Sequence, residues 1–195
     1  MIRNNRELAA TVARVDSDLQ DIQDYMVANP KANGRVRFPR GFIHTASYYR
    51  RDLWFLDEAH RRNISYSLQS LDILKWIANR TDLSGPAKML LNRSGVVIIG
   101  SITEDVAVFG TDDYIGRSSR FRRRLERMRD EFGMINNTQV GELEELWDRR
   151  NSIHIGAVAT AHIDLYNVRD VNKSFRVMKE LIKSLDKWHY DRIPF

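Results

Sequence analysis

Hydrophobic residues recur at helical spacing through most of this chain. The most regular run lies within residues 5–29, where steps of four and three alternate along a single stripe: Leu8, Val12, Val15, Leu19, Ile22 and Met26. This spacing predicts an amphipathic, coiled-coil-like helix of about three heptads. Asn29 and Pro30 should end it, because proline disfavours helical geometry in the residue before it. The stripe fits either a helix of the chain's own bundle or an arm that pairs with another subunit.

The next helical pattern covers residues 44–79, with a break expected near Arg62 and Asn63. Its apolar positions approximate one face: Leu53, Leu56, His60, Ile64, Leu68, Leu71, Leu74 and Ile77. His60 is expected to pack within that face rather than to bind a ligand. Aromatic residues at helical spacing are typical of a core more often than of a base-stacking surface. We therefore expect the local aromatic side chains to be buried: Tyr48, Tyr49, Trp54 and Phe55.

The pattern of residues 87–109 predicts an element at the centre of the fold, because the stretch 94–103 carries no charge and is apolar on nearly all sides. Ser84 or Asp82 would cap it, with Pro86 near the first helical position. The β-branched run at 96–99 also fits a buried strand, but the length of the segment and its helical neighbours favour a helix. Gly95 and Gly100 would let neighbouring elements approach closely.

Residues 117–132 predict a short basic helix whose apolar stripe is Phe121, Leu125, Met128 and Phe132. Seven arginines face three acids there, which leaves a surplus of four positive charges. Arg122 with Glu126, and Arg127 with Glu131, are expected to pair at i,i+4 spacing. The remaining arginines fit either a phosphate-binding surface or a solvated, salt-bridged face. The candidates for contact with RNA are Arg120, Arg123, Arg124 and Arg127.

A last amphipathic helix is predicted at 171–188, and no strand pattern is firm anywhere. We therefore expect an all-α fold, a bundle of about five to seven helices in a single domain over residues 1–195. The alternative is that residues 1–30 form an appended amphipathic helix. No apolar run approaches the roughly 20 residues that span a bilayer, and no secretory leader is evident at Met1. A cytoplasmic protein that makes no membrane contact is expected.

Composition narrows the chemistry further. The chain has no cysteine, which excludes thiol catalysis and cysteine-ligated zinc. Its five histidines form no His-x3-His pair, and no nucleophile elbow or glycine-rich phosphate loop occurs. We therefore expect neither a metal nor a cofactor. The formal net charge of +5 is compatible with an anionic partner such as RNA.

Residues 139–156 combine the groups that could act chemically. Val140, Leu143 and Trp147 form one stripe of a predicted helix, and two arginines followed by polar residues stand at its end. Glu104 and Asp105, which follow the apolar central stretch, could orient such an arginine, although they more simply mark where that helix meets water. The segment places Arg149, Arg150 and, shortly after, His154 where a helix ends.

The spacing Arg149-x4-His154, with Asn151 and Ser152 inside it, resembles the Arg-x4-6-His motif of the HEPN superfamily. The residue after the motif arginine is usually a smaller polar one, and here it is Arg150. If Arg150 is the motif arginine, Asn151 follows it as in the family, but the spacing shrinks to x3. The motif arginine is thus either Arg149, which the spacing favours, or Arg150.

The resemblance implies a helical bundle that acts as a homodimeric, metal-independent endoribonuclease, in the role of a toxin or antiviral defence component. An antitoxin or a nucleotidyltransferase-like partner would restrain it. Arg149 and His154 would be catalytic, with Arg150, Asn151 and Ser152 in support. RNA cleavage suits so small a set, because the ribose 2′-OH supplies the nucleophile and the protein need only move protons and stabilise negative charge.

Two other classes of function fit the same sequence. The chain could be a non-catalytic helical module that binds nucleic acid through the arginines of residues 117–129. It could also be a protein-interaction module that uses the stripe from Leu8 to Met26. Finally, His154 near a helix end could simply cap carbonyls, while Arg149 and Arg150 pair with Glu145 and Glu142.

Overall fold

The computed structural model describes residues 1–39, 41–117, 119–152 and 166–193, and these form eight α-helices and no strand. The predicted all-α fold is confirmed, although the helices exceed the predicted number because two are very short. Within the described residues, no helix has both the length and the apolar character that a membrane span requires. The helices are α1 Asn5–Ala28, α2 Ala46–Arg51, α3 Glu58–Arg80, α4 Gly85–Phe109, α5 Asp112–Ile115, α6 Phe121–Asp130, α7 Asn137–Asn151 and α8 Val168–Tyr190.

The chain divides into two compact units, Met1–Arg40 and Gly41–Phe195. The first unit contains α1, which begins at Asn4, whose side-chain oxygen accepts a hydrogen bond of 2.9 Å from the backbone N–H of Glu7. The helix ends where the sequence predicts, at Asn29 before Pro30. No residue of α1 is buried, and its predicted stripe is largely open to solvent, with Leu8 47% exposed and Ile22 42% exposed.

In the second unit, α4 is the central element and packs against α3, α6, α7 and α8. The stretch that could have formed a strand is helical, and Val96 and Val106 have no exposed surface. Between Gly95 and Phe109 only Asp105 is exposed. Ser84 precedes the first residue of the helix and Pro86 lies in its first turn, as the sequence predicts. An element that is apolar on nearly all sides has thus become the centre of the bundle.

The predicted helical break near Arg62 and Asn63 is wrong, because α3 runs through that position without interruption. The break lies earlier, between Arg51 and Glu58, where Asp57 accepts hydrogen bonds from the backbone N–H groups of the first turn of α3. Leu53 and Leu56 in this connection are 1% and 5% exposed. Apolar residues of a connecting segment can therefore pack in the core while they continue the helical spacing. For this reason the spacing alone does not show where one helix ends and the next begins.

The aromatic residues of this region are not uniformly buried as predicted. Phe55 and Tyr49 pack against the core, but Tyr48 and Trp54 are 45% and 38% exposed. His60 packs in the apolar face as expected, stacked on Phe109 and hydrogen-bonded to Asp57. The exposed Tyr48 lies at the edge of a cleft between α2, α3 and α8.

Candidate functional site

The end of α7 carries the arginines of the predicted motif. The helix starts with a reciprocal cap, in which the Asn136 side chain accepts from the backbone of Gln139 and the Gln139 side chain accepts from the backbone of Asn136. Val140 and Leu143 are buried and anchor the helix on the core, as the stripe predicts. Because α7 is anchored in this way, its last turn lies at a fixed position beside α4 and α8.

Arg149 lies on the side of α7 that faces α8. Its Nη1 donates to Oδ1 of Asp170 at 2.6 Å, and its Nη2 lies 3.4 Å from Oε1 of Glu145. The second oxygen of Asp170 accepts from the backbone N–H of Asn167 and caps α8. Because Asp170 is tied to the start of α8 and its side chain is only 14% exposed, it fixes the guanidinium of Arg149 rigidly.

Arg150 lies on the side of α7 that faces α4. Its Nη2 is 3.0 Å from Oε2 of Glu104. Gly100, one turn before Glu104, makes this contact possible, because a Cβ atom at Gly100 would lie 2.7 Å from Cβ of Arg150. The prediction that Gly100 permits close approach is confirmed. Glu104 therefore does more than mark where α4 meets water.

Asn151 and Ser152 are both engaged within the protein. The side-chain oxygen of Asn151 accepts a hydrogen bond of 2.9 Å from Nη1 of Arg150. The hydroxyl of Ser152 donates to the backbone carbonyl of Arg149 at 2.8 Å and lies 3.1 Å from the hydroxyl of Tyr166. Tyr166, which is 2% exposed, also donates to the carbonyl of Arg149. These contacts close the C-terminal end of α7, where carbonyl groups would otherwise lack donors.

His154 lies outside the residues that the structure describes. Its position relative to Arg149 and Arg150 therefore stays a prediction. The two arginines point to different neighbours, Arg149 to α8 and Arg150 to α4, so their guanidinium groups are held apart by separate carboxylates.

The surroundings of the two arginines are acidic. Lys173 first, and then Arg149, hold the pKa of Glu145 below its ordinary value, so Glu145 is a carboxylate at neutral pH. An open groove beside Arg149 is lined also by Glu144 and Asp148. The side chains of Arg149 and Arg150 keep 35% and 31% of their surface exposed. An anion can therefore approach either guanidinium, but it must compete with carboxylates already in place.

The basic helix α6 offers a smaller cationic surface than its composition suggests. Arg127 pairs with Glu131 as predicted, and its Nη2 lies 2.6 Å from Oε2 of the acid. Arg122 does not pair with Glu126 as predicted; it reaches across to Asp148 of α7, with its Nη2 within 2.8 Å of both carboxylate oxygens. Arg120 and Arg123 are exposed and, within the described part of the chain, make no ion pair.

Arg124 does not belong to this surface, and its predicted role in RNA contact is wrong. It has no exposed surface, and its guanidinium donates to the carbonyls of Val108 and Gly116 and to the hydroxyl of Thr111. Burial lowers its pKa, and no carboxylate among the described residues lies within ion-pair distance. Arg124 instead ties the end of α4 to the connection that leads into α6.

Two residues of the site were missed in the sequence. Asp170 could have been noticed, because Asn167 followed by an acid three residues later predicts a helix start. Its contact with Arg149 depends on how α7 and α8 pack, and no local pattern encodes that. Tyr166 follows a stretch without a clear pattern and gave no signal.

Comparisons with models of protein families, with curated proteins and with solved structures find no match to this chain. Its function must therefore be inferred from its own residues and their geometry, together with the resemblance of the short motif.

Proposed function

We propose that this chain is a HEPN-like, metal-independent endoribonuclease that acts as a homodimer. The observation that carries the proposal is the pair of arginines at the end of α7, each held by a carboxylate from a different helix. Asp170 orients Arg149 and Glu104 orients Arg150. A guanidinium that is pre-oriented and one-third exposed is suited to bind phosphate without a further loss of side-chain entropy.

The reaction balances with groups of the RNA and the protein alone. The 2′-OH attacks the adjacent phosphorus, its proton passes to a base, and the bond from phosphorus to O5′ breaks as O5′ takes a proton. The products carry a 2′,3′-cyclic phosphate and a 5′-hydroxyl. His154 would move protons, and Arg149 or Arg150 would stabilise the negative charge of the phosphorane oxygens. Two subunits would supply two histidines, one for each proton.

The supporting residues take narrower roles than the motif alone suggests. Asn151 holds Arg150 through its side-chain oxygen, and Ser152 closes the helix end through the carbonyl of Arg149. Both act as positioning residues in this proposal. The cellular role would be that of a toxin or defence component, restrained by an antitoxin or a nucleotidyltransferase-like partner.

The test is RNA cleavage in excess EDTA by the wild type and by His154→Ala, Arg149→Ala and Arg150→Ala. We expect loss of at least about a hundredfold in rate for His154→Ala, the usual scale of general acid–base catalysis. The arginine variant with the larger fall in kcat identifies the motif arginine. Arg169→Ala, an exposed arginine nearby on α8, is the matched control and should cleave like the wild type.

Cleavage by His154→Ala at the wild-type rate would overturn the catalytic proposal. So would a requirement for a divalent metal ion. Products that lack a cyclic phosphate would exclude attack by the 2′-OH. A molecular mass in solution equal to one chain under assay conditions would count against a site shared between subunits.

A second candidate is a non-catalytic module that binds nucleic acid through α6. It is favoured by Arg120 and Arg123, which are exposed and form no described ion pair. Binding of RNA without cleavage by the wild type would support it. Arg120→Ala/Arg123→Ala should then reduce the slope of log K against log salt by roughly one to two. The exposed stripe of α1 would support a third, a protein-interaction module.

A further inference from the structure

A cleft between α2, α3 and α8, far in sequence from the arginine motif, has the composition of a ligand site. Its volume is about 400 Å³, within the range of pockets that hold small molecules. The floor is apolar, since Leu53, Leu68 and Met178 are at most 5% exposed. One wall is aromatic, and the lining also carries lysines.

Hydrogen bonds and ring contacts around His44 hold the aromatic side chains of the cleft in place. The backbone N–H and Nδ1 of His44 both lie within 3.0 Å of Oδ2 of Asp72, and its carbonyl accepts from Gln69. The ring stacks on Tyr48, with 4.4 Å between centroids, and meets Tyr49 edge-on. Burial, and after it the hydrogen bond to Asp72, raises the pKa of Tyr49, so its hydroxyl stays protonated, and this hydroxyl also lies 3.3 Å from Nδ1 of His44.

This wall is fixed and yet open to solvent. The His44 side chain is 49% exposed and Tyr48 is 45% exposed. Because Asp72 engages Nδ1, the imidazole keeps Nε2 for another partner, and no described residue bonds to it. The Arg51 guanidinium lies 5.4 Å from the centroid of the Tyr48 ring, and a planar group can stack on the part of the His44 and Tyr48 rings that stays exposed.

The lining of the cleft also carries three lysines, Lys75 on α3 and Lys179 and Lys183 on α8. Within the described part of the chain none of them has a carboxylate partner. Lys75 and Lys179 both lie near the same ring, with their Nζ atoms 5.8 Å and 4.7 Å from the centroid of Phe175. Two cations that both lie within 5.8 Å of one ring centroid repel each other, and an anion placed near them would relieve that repulsion.

The three acids of the cleft are engaged with other donors and, within the described part of the chain, form no ion pair with these lysines. Asp72 accepts from His44, Asp186 accepts from Nε1 of Trp54, and Asp52 pairs with Arg51. Each carboxylate therefore already has a donor, while none of the three lysines has an ion-pair partner among the described residues. The cleft therefore contains lysine ammonium groups without a described ion-pair partner, together with aromatic surface that is exposed to solvent.

We propose that this cleft binds a mononucleotide, with the base against His44 and Tyr48 and the phosphate among Lys75, Lys179 and Lys183. Lysine binds phosphate as a point charge, and every base has a π-face that an aromatic wall can accept. The nucleotide is either free or one unit of an RNA chain. The site is separate from the arginine motif and does not depend on ribonuclease activity.

The test is isothermal titration calorimetry of the full chain with the four nucleoside 5′-monophosphates, inorganic phosphate and an RNA trinucleotide. Lys75→Gln/Lys179→Gln should weaken nucleotide binding about tenfold or more, the scale for charge-assisted hydrogen bonds. The control with equal loss of charge is Lys88→Gln/Lys187→Gln, whose lysines lie outside the cleft. Tyr48→Ala should weaken binding about fivefold or more. Tyr66→Ala, which changes an exposed tyrosine of α3 outside the cleft, should leave binding unchanged.

Equal dissociation constants for the cleft variant and its control would overturn the proposal, as would the absence of saturable binding at millimolar nucleotide. Phosphate that binds as tightly as the nucleotides would show that the aromatic wall takes no part, and would overturn it too. Tighter binding of the trinucleotide than of the monophosphates would support the site and identify RNA as the source. Tighter binding of a monophosphate would support it and identify a free nucleotide.

Discussion

Two helices of nearly equal length, α1 with 24 residues and α4 with 25, relate to solvent in opposite ways. The α1 helix has the more regular apolar stripe, yet none of its residues is buried. The α4 helix is only weakly amphipathic, yet nine of its residues are buried. A regular apolar stripe shows that one face of a helix can pack against another element. A helix that is apolar on nearly all sides, by contrast, must be buried.

The largest effect should come from truncating a side chain of α4. Ile99→Ala removes atoms from a residue that is 1% exposed and should lower the free energy of unfolding by about 2–5 kcal/mol. Leu19→Ala on the stripe of α1, where Leu19 is 43% exposed, should change it by less than about 0.5 kcal/mol. Urea denaturation followed by circular dichroism measures both. Equal losses would mean that α1 is as much a part of the core as α4.

The next effect concerns how the end of α4 is held. Arg124→Met keeps a long, unbranched apolar stem but leaves the Thr111 hydroxyl and the Gly116 carbonyl without the guanidinium donor. Unsatisfied buried groups should cost about 2–3 kcal/mol in the free energy of unfolding. Arg123→Met, next to it but exposed, is the control and should cost less than about 0.5 kcal/mol. If Arg124→Met is neutral, the buried guanidinium contributes nothing to the attachment of α4.

A smaller effect should follow from filling the contact between α4 and α7. Gly100→Ala places a methyl group against Arg150 and should cost about 1–3 kcal/mol, because the last turn of α7 must shift away from Glu104. Gly141→Ala on α7 meets open space and should be neutral or should stabilise by up to about 1 kcal/mol. Thermal unfolding separates the two. If RNA cleavage depends on Arg150, Gly100→Ala should also lower its rate while Gly141→Ala should not.

Much of this fold could be predicted from the sequence because its determinants are local. The ends of α1 and α4 follow from Asn29 before Pro30 and from Ser84 before Pro86, and these residues act within one turn. The burial of Arg124 also had a local signal. It lies three residues after Phe121 and four before Met128, on the apolar face of α6, but its charge led to the expectation of exposure.

The candidate site was less predictable because its partners come from distant parts of the chain. The motif named Arg149 and Arg150, but their carboxylates belong to α8 and α4, and only the packing of three helices brings them together. The cleft beside Lys179 was missed for the same reason. Aromatic residues at helical spacing were expected to be core, and the early break before α3 left Tyr48 exposed instead.

The smallest effect on stability should come from removing α1 altogether. Deletion of residues 1–30 should change the free energy of unfolding of the remaining chain by less than about 0.5 kcal/mol, because no residue of α1 is buried. The same deletion should reduce association if the stripe from Leu8 to Met26 pairs two subunits, and light scattering measures that mass. A large loss of stability would show that the bundle depends on α1. An unchanged mass, with RNA cleavage intact, would place any dimer contact in residues 31–195.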